Sequence, residues 1–529
     1  MTAREAIERA DTALGIEFGS TRIKAVLVDR CHRILGVGGS DWENEFVDGI
    51  WTYDMADVVG GLQAAFASLV ADVRQRHGVG ITTVGMLGVS AMMHGYLALG
   101  EDGQPLVGFR TWRNTMTEPA SRELSELFEV NIPQRWSIAH LRQAILDDEP
   151  HVPDVRRLTT LAGYVHTLLT GEHVLGVGDA SGMFPLDYRR QSFDRRAITL
   201  FDELNVQRGY RWNLESLLPD VLGAGESGGV LTEQGALLID PTGELRSGIR
   251  LCPPESDAGT GMVATNSVRV GTGNVSVGTS VFAMIVLSQA LGNVGPELDP
   301  VATPDGAPVA MAHNNNGTSD INQWVALFGQ FSELIGAGIA TDDLFRILFQ
   351  HAMTGAPDAG RLMSYNYLSG EHVTRCDVGR PLFVRGPDSD FSLANFMRTH
   401  LMSAFASLRI GMDILMSQEG VTLRDINAHG GMFRTPGAAQ EVLASALDTP
   451  VTVQETADEG GAYGMALLAN YARLDGGTTS LADYLEQTVF AGVGKVTVEP
   501  DPRNVAGFAT FMERYRAGLP LERSAGGIL

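Results

Sequence analysis

The chain has 529 residues with 39 Lys and Arg against 63 Asp and Glu, a formal net charge of −24 that disfavours nucleic acid and anionic membrane as partners. Hydrophobic residues make up 44%, enough for sizeable cores, and the three cysteines Cys31, Cys252 and Cys376 are too dispersed for a disulfide framework or a zinc site. The N-terminal stretch is charged, without an apolar signal core, and no run approaches the ~18 apolar residues of a membrane span, so a cytoplasmic enzyme of a small molecule, with no nucleic acid and no membrane as partner, is expected.

From Thr12 to Asp29, apolar residues alternate up to Gly19-Ser20-Thr21 and resume at Ile23, Ala25 and Leu27, the pattern of two strands joined by a tight turn. Residues 55–78 carry a helical apolar pattern, and 82–90 read as a strand that ends at Ala91-Met92-Met93-His94-Gly95. Residues 96–114 read as two strands around the turn Glu101-Asp102-Gly103, with Trp112, Arg113 and Asn114 at their exit. Helical patterns dominate from Thr117 to Thr170, with Gly171 placed as a C-cap, and a polar loop carries Asp179-Ala180-Ser181-Gly182. After a glycine-rich stretch from Gly223 to Gly229, Asp257 is followed by small residues and a short helix signal, and a domain boundary is expected between Val268 and Gly271.

A second hairpin pattern then spans Gly271 to Leu287 around Gly278-Thr279-Ser280. A polar loop from His313 to Trp324 precedes helices. Residues 426–451 give a strand, a Gly430-Gly431 turn and a helix beginning near Pro436, and a glycine-started helix begins near Glu459. Length alone suggests about three domains, but the repeated hairpin fits two large ones.

The paired glycine-hydroxyl turns are the main functional signal. Successive N–H groups in a turn form a concave anion site, and glycine lets the backbone come close, so two such turns suit the phosphates of a nucleotide held between two similar domains. Ser20, Thr21, Thr279 and Ser280 are candidate phosphate ligands beside Gly19 and Gly278, the alternative being ordinary polar turns. Lys24 is a candidate charge for phosphate or a solvated lysine. Asp257 is either the N-cap of the following helix or a general base. His94 is either a structural histidine or a donor to a ligand hydroxyl.

In order, the hairpin from Gly15 to Lys24, the Met93-His94-Gly95 element with Trp112-Arg113-Asn114, the Asp257 loop followed by Val277-Gly278-Thr279-Ser280, and the HGG…EGGAYG pattern near the C-terminus resemble the FGGY carbohydrate kinases of the actin-like ATPase superfamily. The resemblance spans about residues 12 to 470 and is closest to xylulokinase- and ribulokinase-like ketopentose kinases. It implies an α/β fold of two ribonuclease-H-like domains with a deep interdomain cleft, residues 1–268 binding sugar and residues 269–529 binding adenosine. It implies ATP and Mg²⁺ as cofactors, Asp257 as the catalytic base, Met93, His94, Arg113 and Asn114 as sugar contacts, and Glu17 and Asp257 as metal ligands. Gly19, Ser20, Thr21, Lys24, Gly278, Thr279 and Ser280 are then phosphate contacts. Gly430, Gly431, Met432 and Gly464 pack on adenosine, with Phe433 lining the adenine slot. A homodimer is the assembly common among such kinases.

Several positions depart from the family pattern. Glu17 stands where Asp is usual, Ala258 where Gln or Asn follows the catalytic Asp, and Met116 where Arg is common. The GER triplet is Gly370-Glu371-His372. The expected activity is phosphorylation of a terminal sugar hydroxyl, D-xylulose or L-ribulose being the leading substrates. A glycerol-like polyol and a non-catalytic nucleotide-binding sugar sensor are the alternatives.

Overall fold

The computed structural model describes residues 1–528 except 293, 294, 296 and 455–459. The first alternating segment forms β1 (Thr12–Phe18) and β2 (Arg22–Asp29), antiparallel with Glu17 opposite Lys24. β3 (Ile34–Asp41) extends the sheet beside β2, α1 (Met55–His77) follows, and β4 (Met86–Ala91) lies parallel to β1. Glu255 and Ser256 pair with Ser90 and Ala91 at the end of β4 and lead directly into α2 (Asp257–Ala264). Asp257 therefore stands where a strand end meets a helix start, a usual location for ligand chemistry in α/β folds.

α1 is capped by the Asp54 side chain and ended by Gly78 at φ 69°, and its Val58, Leu62, Ala65, Phe66, Leu69 and Val73 are buried at helical spacing. Contrary to the expectation that no segment does so, α1 is long and apolar enough to cross a membrane, with a mean hydropathy of 1.3 over its best window. Its apolar face instead lies on β3. Gly38 permits the approach: a Cβ there would sit 2.3 Å from the Ala65 carbonyl oxygen.

The second hairpin forms β5 (Thr272–Val277) and β6 (Val281–Val286), antiparallel, and β7 (Asp425–His429) runs parallel to β5 with β8 (Val451–Gln454) parallel beyond it. An antiparallel hairpin with a parallel strand against its first member thus occurs twice. The likeness between the two sequence segments is a likeness of sheet topology.

The chain separates into two units. Unit 1 is Met1–Val268 with Ser288–Val309 and Glu459–Gly492, and unit 2 is Arg269–Leu287, Ala310–Asp458 and Val493–Leu529. Two segments of the second half therefore join the first unit, where the sequence reading had a single continuous stretch, 269–529. The helix Gly460–Leu474 is the consequential one. It lies on β1, where a Cβ on Gly15 would be 2.2 Å from the Ala462 carbonyl oxygen, and on α2, where a Cβ on Gly464 would be 1.9 Å from the Thr260 carbonyl oxygen.

Residues 96–114 also differ from expectation. Leu97–Leu99 is a strand, but its partner is Arg157–Thr159, and the segment after the turn contributes only single bridges at Pro105 and Arg110. Pro105 has no N–H to donate, which prevents a regular second strand there. The predicted turn itself is present, with the Gly103 N–H donating to the Gly100 carbonyl at 3.1 Å.

Candidate active site

In unit 1 the cap of α2 is Ser256, whose hydroxyl accepts from the Gly259 N–H at 3.1 Å. Asp257 is thus released from the capping role that the sequence left open. Its Oδ1 accepts from the Met93 N–H at 2.9 Å, and the residue stays partly exposed. Burial of the carboxyl pushes its pKa up to about 6, against the lowering effect of these backbone donors. A carboxylate with a pKa near neutrality and an accessible edge has the properties of a general base.

The Met93-His94-Gly95 element follows β4 in a left-handed bend, with φ 74° at His94 and 96° at Gly95. For His94 this is a sparsely populated conformation, of the kind that surrounding structure must enforce. The enforcement is visible: the Gly95 N–H donates to the Arg135 carbonyl at 3.1 Å, and Phe109 fills the space a Cβ on Gly95 would need. Gly182, from the loop noted in the sequence, gives Met93 and His94 their seat, since a Cβ there would lie 2.7 Å from Met93 Cε and 2.8 Å from His94 Nδ1.

His94 is 4% exposed, and burial, reinforced by Arg135, takes its pKa down to about 3. The ring is therefore neutral at pH 7. Its Nδ1 lies 3.0 Å from the Gly182 carbonyl oxygen, which can only accept, so the proton resides on Nδ1 and Nε2 is left as an acceptor. This reverses the sequence expectation that His94 donates to a ligand hydroxyl. It would accept from one.

Glu17 reaches the first turn of the helix Gly460–Leu474, its Oε2 accepting from the Ala462 N–H at 3.2 Å. A Cβ on Gly461 would fall 2.3 Å from Glu17 Oε1, so glycine there makes room for the side chain that is one methylene longer than Asp. Burial and the Asp257 charge raise the Glu17 carboxyl to about 7, while Lys24, its cross-strand partner, opposes the rise. Glu17, Lys24 and Asp257 are thus brought into one electrostatic group.

The Gly19-Ser20-Thr21 turn closes with the Gly19 N–H donating to the Arg22 carbonyl at 3.1 Å. The Ser20 and Thr21 amides have no hydrogen-bond partner among the described residues. Two residues missed in the sequence brace the turn: the Trp42 indole N–H donates to the Gly19 carbonyl at 2.6 Å and the Tyr53 hydroxyl to the Ser20 carbonyl at 2.7 Å.

Arg113 and Asn114 are occupied with the chain itself. The Asn114 amide spans Trp51, accepting from its N–H at 2.9 Å and donating to its carbonyl at 2.8 Å, and donates to the Thr111 carbonyl as well. Asn114 is thus a loop clamp, with both Nδ2 protons spent on backbone carbonyls. Arg113 lies 3.7 Å over the Trp51 ring and donates to Asn44 Oδ1 at 3.0 Å. It is exposed.

Two buried acids behind Asp257 were also missed. Asp179 takes a 2.6 Å hydrogen bond from Thr160, and Glu255 accepts from the Gly178 N–H at 3.1 Å. Burial raises both, Asp179 to about 7 with a contribution from the Asp257 charge and Glu255 to about 8 with one from the Asp179 charge. Gly176 and Gly178 leave room for the Glu255 carboxylate, each lacking a Cβ that would fall within 2.4 Å of it.

In unit 2 the Gly278-Thr279-Ser280 turn is braced by the polar loop that begins at His313. The Thr318 N–H and hydroxyl donate to the Gly278 carbonyl at 2.9 and 3.0 Å, and the Gly317 N–H donates to the Thr279 carbonyl at 2.7 Å. Asn316 anchors that loop to Leu368 and Ser369, and Glu371 accepts from the Asn315 and Asn316 N–H groups. Thr279 and Ser280 are at the surface of the turn.

A cavity of about 540 Å³ opens beside this turn, lined by Gly278, Ile321, Phe349, Gly431, Met432 and Pro436 among others, with α3 (Ser319–Leu334) and α4 (Thr341–Ala352) supplying its far wall. Its size and mixed lining suit a nucleoside-sized ligand. Gly430 holds φ 112°, and a Cβ there would be 2.2 Å from the Val277 carbonyl oxygen, so it shapes the turn while Gly431 and Met432 reach the cavity. Phe433 is buried at 7% exposure and absent from the lining, contrary to its expected place against adenine. Gly464 belongs to unit 1 and serves helix packing against Thr260, not the nucleoside cavity. The Glu459 start of its motif lies outside the described residues. Among the described residues no group of three or more His, Cys, Asp and Glu side chains is arranged to hold a metal.

Comparison with known proteins places these features. Residues 12–240 match the N-terminal domain model of the FGGY family of carbohydrate kinases, and residues 273–473 match its C-terminal domain model. Among solved structures, a ligand-bound xylulose kinase from Lactobacillus acidophilus superposes with a TM-score of 0.78 at 16% identity, over 98% of this chain and 99% of that one. A gluconate kinase from the same organism gives a TM-score of 0.78 at 16% identity, over 97% and 99%. At such identities the likeness is one of fold. In sequence, a glycerol kinase from Thermococcus onnurineus is 24% identical over 201 residues, 36% of this chain, and the match spans only 40% of that relative's length. With both family models matched in order along the chain, the protein belongs to the FGGY family of carbohydrate kinases.

Proposed function

We propose that the protein is an ATP-dependent carbohydrate kinase that phosphorylates a terminal hydroxyl of a sugar, with a ketopentose, D-xylulose or L-ribulose, as its substrate. The observation that carries this reading is Asp257: a partly exposed carboxylate, freed from helix capping by Ser256 and raised to about 6 by burial, beside the Met93-His94 element. Asp257 takes the proton of the attacking hydroxyl, and His94 Nε2 accepts from a second hydroxyl and so orients the sugar. The turns at Gly19-Ser20-Thr21 and Gly278-Thr279-Ser280 bind phosphate through backbone amides and hydroxyls, Lys24 adds positive charge, and the unit 2 cavity takes the nucleoside.

Glu17 and Asp257 fit a Mg²⁺ requirement. Mg²⁺ uses one or two protein carboxylates and completes its shell with water and substrate phosphates, and a Glu17 carboxyl whose proton affinity is raised by the Asp257 charge is an arrangement a divalent cation relieves. Bound there, the ion would neutralise phosphate charge.

The xylulose kinases among the structural neighbours support the ketopentose reading, as does the Met-His-Gly element. A polyol is the second reading, favoured by the sequence match to glycerol kinases. Assay of the purified protein with ATP and a panel of ketopentoses, glycerol and gluconate, following ADP release, tests both. Turnover highest with a ketopentose supports the first reading, turnover highest with glycerol supports the second, and no acceptor-stimulated ADP release with any compound overturns the kinase assignment. The protein is further proposed to act in the cytoplasm as a homodimer.

A further inference from the structure

The two candidate phosphate turns are held by one device. In each, successive carbonyl oxygens beginning at the turn glycine accept from donors outside the hairpin. In unit 2 the donors are Gly317 and Thr318. In unit 1 three consecutive carbonyls are taken by two aromatic residues: Gly19 by the Trp42 indole at 2.6 Å, Ser20 by the Tyr53 hydroxyl at 2.7 Å and Thr21 by the Trp42 backbone N–H at 3.2 Å. Pinning successive carbonyls on one side of a turn fixes the peptide planes and leaves the intervening amides on the open side, which is the condition for an anion-binding concavity.

The two aromatic residues also hold each other. Their rings stack at 4.2 Å, Phe18 meets Trp42 edge-on at 6.0 Å, and Tyr53 stacks at 6.4 Å with Phe109, the ring that occupies the space beside Gly95. One row of rings therefore runs from the phosphate turn to the Met93-His94-Gly95 element. Trp42 is 7% and Tyr53 3% exposed, so neither presents a free face for stacking on a ligand, and burial keeps the Tyr53 hydroxyl protonated as a donor.

We propose that Trp42 and Tyr53 are positioning residues for nucleotide phosphate: their donors to the Gly19, Ser20 and Thr21 carbonyls aim the turn amides, and removing either donor weakens phosphate binding without altering nucleoside binding. The proposal rests on the kinase reading for the identity of the anion. Its test is a calorimetric titration of the full-length protein with a non-hydrolysable ATP analogue and, separately, with adenosine. Tyr53→Phe and Trp42→Phe each keep a ring in the stack and lose one donor.

Each variant should bind the analogue about fivefold to tenfold more weakly than the wild type, the effect of one hydrogen bond, while adenosine affinity and the sugar KM move less than twofold. Analogue affinities within twofold of wild type in both variants overturn the proposal. So does an equal loss for analogue and adenosine, which would mark general damage. A wild type that binds the analogue but phosphorylates no acceptor defeats the kinase reading alone, and the two variants still decide this inference. A wild type that binds no analogue defeats both.

Discussion

The Met93 backbone N–H donates to Asp257 Oδ1 at 2.9 Å, tying the first residue of a helix to the Met93-His94-Gly95 element at the end of a neighbouring strand. One carboxylate oxygen is thereby fixed. Replacing Asp257 by Asn keeps an acceptor for Met93 and removes the base. The expected outcome is a fall in kcat of about 10²–10⁴-fold, the range of general base contributions, with ATP affinity retained in a direct titration. Activity within tenfold of wild type would show that another group takes the proton.

The same carboxyl sets a pH dependence. Its pKa is raised by burial, and the base must be deprotonated, so kcat should fall toward acid pH and level off toward alkali. His94, at about 3, stays neutral across that range and contributes no inflection. A pH–rate profile with sugar saturating reads this directly, and a profile flat down to pH 4.5 contradicts it.

His94 accepts through Nε2 because Nδ1 is committed to Gly182. His94→Ala should raise the sugar KM by about tenfold, the worth of a lost hydrogen bond, and leave the ATP KM within twofold. An analogue of the substrate lacking the hydroxyl that contacts Nε2 should lose correspondingly less against the variant. Equal losses in both KM values would make His94 a structural residue.

The hairpins, their turns and Asp257 were legible in the sequence because each is a local pattern of alternation, glycine and small polar residues. What was not legible depends on contacts between distant segments. Gly464 sits in a glycine motif that reads as nucleotide binding, yet its lack of a side chain serves the close approach of its helix to Thr260, and nothing local announces that this helix returns to unit 1. Trp42 and Tyr53 carry no motif, and Glu255 and Asp179 meet only in the fold. Asn114 reads as a ligand residue at a strand exit, but its partners lie at Trp51, 63 residues away.

Packing gives a contrast between two glycines of one expected role. A Cβ at Gly464 would fall 1.9 Å from the Thr260 carbonyl, whereas a Cβ at Gly431 meets nothing within 4 Å. Gly464→Ala should therefore cost about 1–3 kcal/mol of stability by overpacking, read as a lowered Tm. Gly431→Ala should leave Tm unchanged.

The buried acids Asp179 and Glu255 make unit 1 sensitive to alkali. Both carboxyls have folded pKa values raised above their unfolded ones, to about 7 and about 8. The folded state holds these protons more tightly, so their contribution is fully present at low pH and is lost as pH rises through the window from about 4 to about 8. Glu255→Gln removes one titration, so relative to wild type its Tm should rise steadily between pH 5 and pH 8.5. A constant difference across that range contradicts the assignment.

The central claim is that this chain transfers phosphate from ATP to a sugar hydroxyl with Asp257 as base. The most direct measurement is ADP release by wild type and Asp257→Asn, side by side, with ATP, Mg²⁺ and each of D-xylulose, L-ribulose, glycerol and gluconate. The account predicts acceptor-dependent ADP release by the wild type, highest with a ketopentose, and its loss in Asp257→Asn. Acceptor-dependent release that persists in the variant, or its absence with every acceptor in the wild type, would contradict it.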